Sequence, residues 1–225
     1  MKTSTTSRLG ARAGFTLIEV AISVTLIAII AAFAGMVSKT GNSAYEGTSL
    51  TANLNSKVKL TLDRVALELQ LAAKDTFFPT MEVGVTNTSS LVFQQLVDIQ
   101  AGAPVYGGPT VGQVMAIRLV MDVGEVDDGI DNNGDGLIDE KRLVLARDLG
   151  VETQMLVTIC HDVSEMAEGE VAGGGDENGN GLIDEQGFDL QREGDVITIR
   201  LSIQRVSSSG VVLERTAETS LRLRN

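Results

Sequence analysis

Residues 15–37 carry no charge except a single carboxylate, Glu19, and this apolar run limits the fold more than any other stretch of the chain. As a helix rising about 1.5 Å per residue, it spans the roughly 30 Å hydrocarbon layer of a bilayer. A secretory signal has a shorter apolar region, about 7–15 residues, that ends at a small-residue cleavage site. Here the run is too long, so it reads as a membrane span. A carboxylate within such a span costs about 2.5–3.5 kcal/mol on insertion scales and persists where it has a partner. Glu19 therefore calls for a positive charge close by.

Charge sets the orientation. Lys2, Arg8 and Arg12 precede the span with no acid among the first fourteen residues, which leaves a charge of −15 on the rest of a chain whose formal net charge is −12. The positive-inside rule puts the basic leader in the cytoplasm and everything after about Ser38 on the far side. An acidic body without a basic patch excludes nucleic acid as a partner. Of the 225 residues, enough remain beyond the membrane for one compact domain of about 150.

Beyond the span, 38–43 (Ser-Lys-Thr-Gly-Asn-Ser) has poor helix propensity and predicts a kink or frayed turn. Helical patterning then resumes: Leu50, Leu54, Val58, Leu62, Val65, Leu69 and Ala72 recur at steps of three and four to about Lys74. Such a stripe predicts a helix lying on its own domain's core rather than an intersubunit face. Strand-like segments follow at 81–86, 91–97, 114–121, 142–147, 154–159, 196–206 and 211–223, with a hairpin connection at Ser207-Ser208-Ser209-Gly210. The expected class is α+β, a long N-terminal helix on a mainly antiparallel sheet.

Asp131-Asn132-Asn133-Gly134-Asp135-Gly136-Leu137-Ile138-Asp139-Glu140 recurs 45 positions later as Asp176-Glu177-Asn178-Gly179-Asn180-Gly181-Leu182-Ile183-Asp184-Glu185, identical at eight of ten positions. Oxygen-bearing side chains at alternate positions, followed by glycine, are how a short loop converges ligands on Ca²⁺. The expected ligands are Asp131, Asn133, Asp135, Asp139 and the Leu137 carbonyl, and in the second copy Asp176, Asn178, Asn180, Asp184 and the Leu182 carbonyl. Asn180 replaces an acid, so the second loop is expected to bind more weakly. Neither copy completes an EF-hand, since the twelfth position is Arg142 or Gly187; Glu140, Glu185, Asp127 and Asp128 are the further oxygen donors. The loops, taken as 127–140 and 176–185, resemble the Asp-rich calcium repeats of thrombospondin type 3 and dockerin-like modules, which implies structural calcium. The alternative is a pair of solvated Asn-Gly turns.

No enzyme chemistry is legible. Cys160 and His161 are adjacent, and on a strand they point to opposite faces, so they cannot form a nucleophile and base. One cysteine precludes an intrachain disulfide, and one histidine leaves too few nitrogens for a zinc site. There is no Gly-x-Ser-x-Gly elbow and no phosphate-binding loop.

Gly14-Phe15-Thr16-Leu17-Ile18-Glu19-Val20, with basic residues upstream, resembles the prepilin peptidase site of type IV pilins and type II secretion pseudopilins. The resemblance implies cleavage after Gly14, N-methylation of Phe15, and pairing of Glu19 with the N-terminal amine of a neighbouring subunit. Residues 60–69 and the closing Leu221-Arg222-Leu223-Arg224-Asn225 are similar to J-type minor pseudopilins. Two features of many major pilins are missing, a proline in the membrane helix and a second cysteine. The implied organisation is a leader at 1–14, a membrane half-helix at 15–37, an amphipathic half at 38–74 and a β-rich domain at 75–225. The implied partners are prepilin peptidase, other pilins or pseudopilins and the inner membrane, with the C-terminal domain periplasmic or exported in a filament. Two functions compete: a minor pilin or pseudopilin subunit with calcium-stabilised loops, or a pilin-anchored, calcium-dependent adhesin.

Overall fold

The computed structural model describes residues 14–79, 87–100, 102–107, 113–150, 152, 154–179 and 181–223. Lys2, Arg8, Arg12, Asn180, Arg224, Asn225 and the strand expected at 81–86 lie outside the described residues. The chain divides into two units, Met1–Tyr45 and Glu46–Asn225.

Helix α1 runs without interruption over Leu17–Gln70. The break expected at 38–43 does not occur: Ser43 Oγ donates to the Lys39 carbonyl at 3.1 Å, bonding back along the helix instead of competing with it. In the first unit the helix side chains are exposed, from Leu17 through Val37, and this part is long and apolar enough to cross a membrane.

In the second unit Leu54, Val58, Leu62, Val65 and Leu69 are buried at the expected spacing, joined by Thr61. The stripe is a core face, as expected. The helix stops at Gln70, four residues before the expected end, where the chain turns to meet the sheet. Ala73 N–H donates to the Gln94 carbonyl at 2.8 Å, and Thr76 Oγ1 donates to the Ala73 carbonyl at 2.7 Å while accepting from Gln94 N–H at 2.9 Å.

The strands are β1 (Asn87–Thr88), β2 (Ser90–Phe93), β3 (Gln95–Gln100), β4 (Ala103–Gly107), β5 (Met115–Met121), β6 (Lys141–Arg147), β7 (Met155–Val163), β8 (Phe188–Glu193), β9 (Val196–Val206) and β10 (Val212–Arg222). Every pairing is antiparallel. Strands β3 and β4 form a separate ribbon, and the others make one sheet in the order β1-β8-β9-β7-β6-β5-β2, with β10 also on β9. Strand β9 organises this sheet. It takes β10 along its whole length on one edge, and on the other β8 from Val196 to Leu201 and then β7 at Ile203.

Alternation along β9 explains its central place. Ile197, Ile199, Leu201 and Ile203 are fully buried in the core with Phe93, Ile117, Leu145, Phe188 and Leu190 and the α1 stripe. Thr198, Arg200 and Ser202 occupy the other face, as a period of two requires. Three strands were not expected, the two-residue β1, β4 and β8. In β8, Phe188 and Leu190 face the core but stand among Asp189, Gln191, Arg192 and Glu193; β4 contains Pro104 and Gly107, both depleted in strands.

Strand β7 runs four residues past its expected end because Asp162 takes a left-handed backbone (φ 60°) with a register shift between β6 and β7. Lys57 stabilises that irregular turn, donating to the His161 carbonyl at 2.8 Å and to Asp162 Oδ2 at 2.7 Å.

Leu69 is fully buried, whereas Leu67, two residues earlier, is 60 % exposed. Leu69→Ala is expected to cost about 2–5 kcal/mol in denaturant unfolding of the purified chain in micelles, and Leu67→Ala less than about 0.5 kcal/mol. Equal losses would contradict the assignment of the core face.

Candidate functional site

Two regions carry the chemistry, and each lies within one unit. In the first, among the described residues, Gly14 has nothing within 4 Å of where a Cβ would stand, and Phe15 is 84 % exposed. Thr16 and Glu19 form a reciprocal cap at the start of α1. Glu19 N–H donates to Thr16 Oγ1 at 3.3 Å, and Thr16 N–H and Thr16 Oγ1 each donate to Glu19 Oε2 at 3.1 Å. This is the capping-box arrangement, in which the residue before the helix and the third residue within it satisfy each other's N–H groups. Glu19 thus has a local partner in the uncleaved chain, one that the sequence reading did not identify although Thr-x-x-Glu is its signature.

The second region is the pair of acidic loops. The first closes the β5–β6 hairpin and the second lies between β7 and β8. They are the same structure twice, and the repeat is longer than the ten residues that reveal it. At each base the same bonds recur: Asp122 N–H to Glu140 O at 3.1 Å and Glu125 N–H to Asp122 O at 3.1 Å, matched by Ala167 N–H to Glu185 O at 2.8 Å and Glu170 N–H to Ala167 O at 2.9 Å. Upstream, Gly124-Glu125-Val126 recurs as Gly169-Glu170-Val171. Gly124 (φ +94°) and Gly169 (φ +86°) leave no room for a side chain, since a Cβ would stand 3.2 Å from the Cβ of Asn133 or Asn178.

Most of the expected ligand side chains are engaged with loop backbone. Asp131 accepts from Gly134 N–H at 2.6 Å and Gly136 N–H at 2.8 Å; Asn133 Oδ1 accepts from Asp135 N–H and Asp135 Oδ1 from Leu137 N–H, both at 2.9 Å. Asp139, left-handed at φ 52°, caps Asp128 N–H at 3.1 Å and Gly129 N–H at 2.7 Å. Its counterpart Asp184, also at φ 52°, accepts from Gly173 and Gly174 at 2.9 and 3.0 Å, and these bonds hold its carboxyl below the usual range. Asp176 accepts from Gly181 N–H at 2.9 Å. Leu137 is buried and Leu182 half-buried. Among the described residues, no group of three or more His, Cys, Asp or Glu side chains is gathered as a metal would require.

The glutamates at the ends of each repeat behave differently. Glu125, 7 % exposed, accepts from Asn132 N–H at 3.0 Å and Asn133 N–H at 2.8 Å through Oε1, while Glu140, fully buried, accepts from Asn133 Nδ2 at 2.6 Å through its own Oε1. The Oε2 atoms of Glu125 and Glu140 are buried with no hydrogen-bond partner. Burial, with Asp135 and Glu125 nearby, pushes the Glu140 carboxyl up. In the second loop Glu170 Oε1 accepts from Asn178 N–H at 3.1 Å, its Oε2 again buried and unpartnered, and Asn178 Nδ2 donates to Glu185 Oε2 at 3.4 Å. Buried oxygens of this kind suit a hard cation, which needs oxygen donors and offsets their charge.

Each loop is seated differently on the sheet. Gly136 (φ +92°) packs against Val206 at the end of β9. The second loop leaves and rejoins the sheet at one residue: Ser164 N–H donates to the Ser202 carbonyl at 3.1 Å and Ser202 N–H to the Gly187 carbonyl at 2.6 Å. Arg200 then ties it down, lying 3.4 Å from Glu185, 4.0 Å from Asp189 and 3.2 Å from Glu218. Elsewhere, Cys160 is buried, which pushes its thiol up, while His161 projects outward to Asp122 at 2.9 Å. The two diverge as expected.

Residues 10–35 match the family model of the prokaryotic N-terminal methylation motif. The matched segment is type IV pilin-like, and the motif is a prepilin peptidase cleavage site in pilins, structural subunits that assemble with other pilins. Together with the apolar helix, it is consistent with a membrane-anchored, single-pass chain. No curated protein and no solved structure matches the chain.

Burial, with Glu185 nearby, raises the Asp189 carboxyl to about 7 in spite of Arg200. The folded chain thus keeps a proton that the unfolded chain releases near 3.8, so stability from this group is intact at low pH and is lost as pH rises from there through 7. In thermal melts with EDTA present, Asp189→Asn is expected to raise the melting temperature at pH 8, with the gain vanishing toward pH 4. A gain independent of pH would refute the assignment.

Proposed function

We propose that this chain is a minor pilin or minor pseudopilin, processed after Gly14 and assembled into a type IV pilus-like or type II secretion filament, with calcium holding its two acidic loops. The observation that carries the reading is the coincidence of the methylation motif with the open end of an apolar helix, Gly14 and Phe15 exposed and Glu19 in the first turn. Cleavage would free an ammonium on Phe15, four residues before Glu19. That amine, on a neighbouring subunit, supplies the positive partner that a carboxylate in lipid requires. Function then lies in assembly: the membrane helix delivers the subunit, and the folded domain is carried on the far side of the membrane.

Calcium is supported by chemistry rather than by a preformed cage. The loops offer only oxygen donors, and several of these are buried carboxylate oxygens without a hydrogen. A cation bound to the folded loops and not to the unfolded chain would add directly to stability. Glu125, Glu140, Asp131, Asn133, Asp135 and the Leu137 carbonyl would hold it in the first loop. Glu170, Glu185, Asp176, Asn178, Asn180 and the Leu182 carbonyl would do so in the second, with Asp139 and Asp184 shaping the turns.

Processing and assembly are separable experimentally. Co-expressed with a prepilin peptidase, the chain is expected to lose its leader, and Gly14→Arg to remain at precursor mass; a mature mass for Gly14→Arg would refute the cleavage assignment. Glu19→Ala is expected to be cleaved normally but to be depleted at least tenfold from sheared filaments. Normal incorporation of that variant would show the carboxylate to be dispensable.

A further inference from the structure

We infer that the principal carboxylates of each cation site are the two glutamates at the ends of the repeat, Glu125 with Glu140 and Glu170 with Glu185, and that the aspartates between them serve chiefly to fold the loop. The inference rests on the calcium reading above and assigns its ligands. Glu125 and Glu170 lie upstream of the motif that suggests calcium. The repeat extends back to them, since Gly124-Glu125-Val126 recurs as Gly169-Glu170-Val171.

Three observations support the assignment. First, the two glutamates of each copy grip the same residue from two sides: Asn133 is held by its N–H to Glu125 and its Nδ2 to Glu140, and Asn178 by its N–H to Glu170 and its Nδ2 to Glu185. The asparagine thereby spaces two carboxylates that would otherwise repel each other. Second, the Oε2 atoms of Glu125, Glu140 and Glu170 are buried without a hydrogen-bond partner, although their residues are at least nine-tenths buried. A buried carboxylate oxygen without a donor is costly unless a charge meets it. Third, the intervening acids already have occupations: Asp131 and Asp139 each accept two backbone N–H groups. Ca²⁺ takes six to eight oxygens at about 2.3–2.6 Å; Glu125 and Glu140 offer two such oxygens in the first copy and Glu170 one in the second, where Glu185 already accepts from Asn178 and Arg200.

The two copies then differ in a defined way. In the first, Asp135 and Glu125 both lie near Glu140 and add negative charge there. In the second, Asn180 stands in place of Asp135, and Glu185 is shared with the Arg200 guanidinium at 3.4 Å. A cation there competes with a fixed positive charge, so the first loop is the tighter site.

The test is calorimetric titration of the full chain in micelles with CaCl₂, and with MgCl₂ for comparison, beside circular dichroism melts in EDTA. The unaltered chain is expected to bind two Ca²⁺ in separable steps. Glu125→Gln should weaken the tighter step at least tenfold and Glu170→Gln the weaker one, whereas Asp139→Asn should shift either step less than about threefold. Glutamine keeps the oxygen that accepts the Asn132 and Asn133 N–H groups, so Glu125→Gln should melt in EDTA no lower than the unaltered chain, which separates a lost ligand from a lost fold. If Asp135→Asn abolishes the tighter step while Glu125→Gln and Glu140→Gln leave it unchanged, the calcium loops stand and this assignment falls. If the unaltered chain shows no heat and no melting shift at millimolar CaCl₂, the calcium reading falls and this assignment with it.

Discussion

The burial of one helix face against one sheet face is the constraint on which the second unit depends. From Leu54 to Leu69 the helix offers side chains at steps of three and four, and the sheet answers with alternate residues of β2, β5, β6, β8 and β9. A fully buried aliphatic or aromatic side chain contributes about 1.5–3 kcal/mol relative to exposure, so no single contact decides the fold. What decides it is the meeting of two periodicities: a helix has one apolar stripe to bury and a sheet has two faces. With α1 on one face, the other must be polar or be covered by something else. The rows Thr198–Ser220, Arg200–Glu218 and Ser202–Thr216 across β9 and β10 meet the first condition. The second acidic loop, docked through Glu185 on Arg200, meets the other over part of that face.

The parts of this arrangement that were legible in the sequence are those where one physical signal dominates. The α1 stripe and the β9 alternation are long, so their periods are unmistakable, and the Ser207–Gly210 turn declares its hairpin through a glycine at φ +79°. Strand β8 was illegible because burial and charge share it: Asp189 is buried beside Arg200, and a sequence rule that sends charges to solvent reads such a segment as loop. The continuity of α1 through 38–43 was illegible for the opposite reason. Intrinsic propensity is a weak prior, and a helix already propagating on both sides tolerates a few poor formers.

At the candidate sites the turns were legible in the sequence and their hydrogen bonding was not. Acids at alternate positions with glycine predict a turning loop, and there Asp131, Asn133 and Asp135 accept backbone N–H groups of the loop itself. Asp131 and Asp139 accept the backbone N–H groups of Gly134 and Gly136 and of Asp128 and Gly129, pairing donors that the turns leave without a ladder partner. Glu125 and Glu170 are separated from the motif by five intervening residues and lie at the loop bases. The recurrence of Gly124-Glu125-Val126 as Gly169-Glu170-Val171, with both glycines packed on equivalent asparagines, extends the repeat to them.

The same loop in two settings separates what the loop does for itself from what the sheet requires of it. In the first copy the base simply continues the β5–β6 ladder, so the hairpin would close whatever stood at its tip. In the second, the chain leaves β9 at Ser202 and returns to Ser202, and β8 can take its place on β9 only if the loop closes tightly enough to bring Gly187 back beside Ser164. A side chain at Gly187 would run into the Ser164 carbonyl, so the return admits only glycine. Closure of the second loop is therefore a condition for the register of β8, and through Phe188 and Leu190 for the core itself. The weaker of the two loops in charge thus has the larger structural consequence, and the Arg200 contact to Glu185 supplies there a closing force that the first loop does not need.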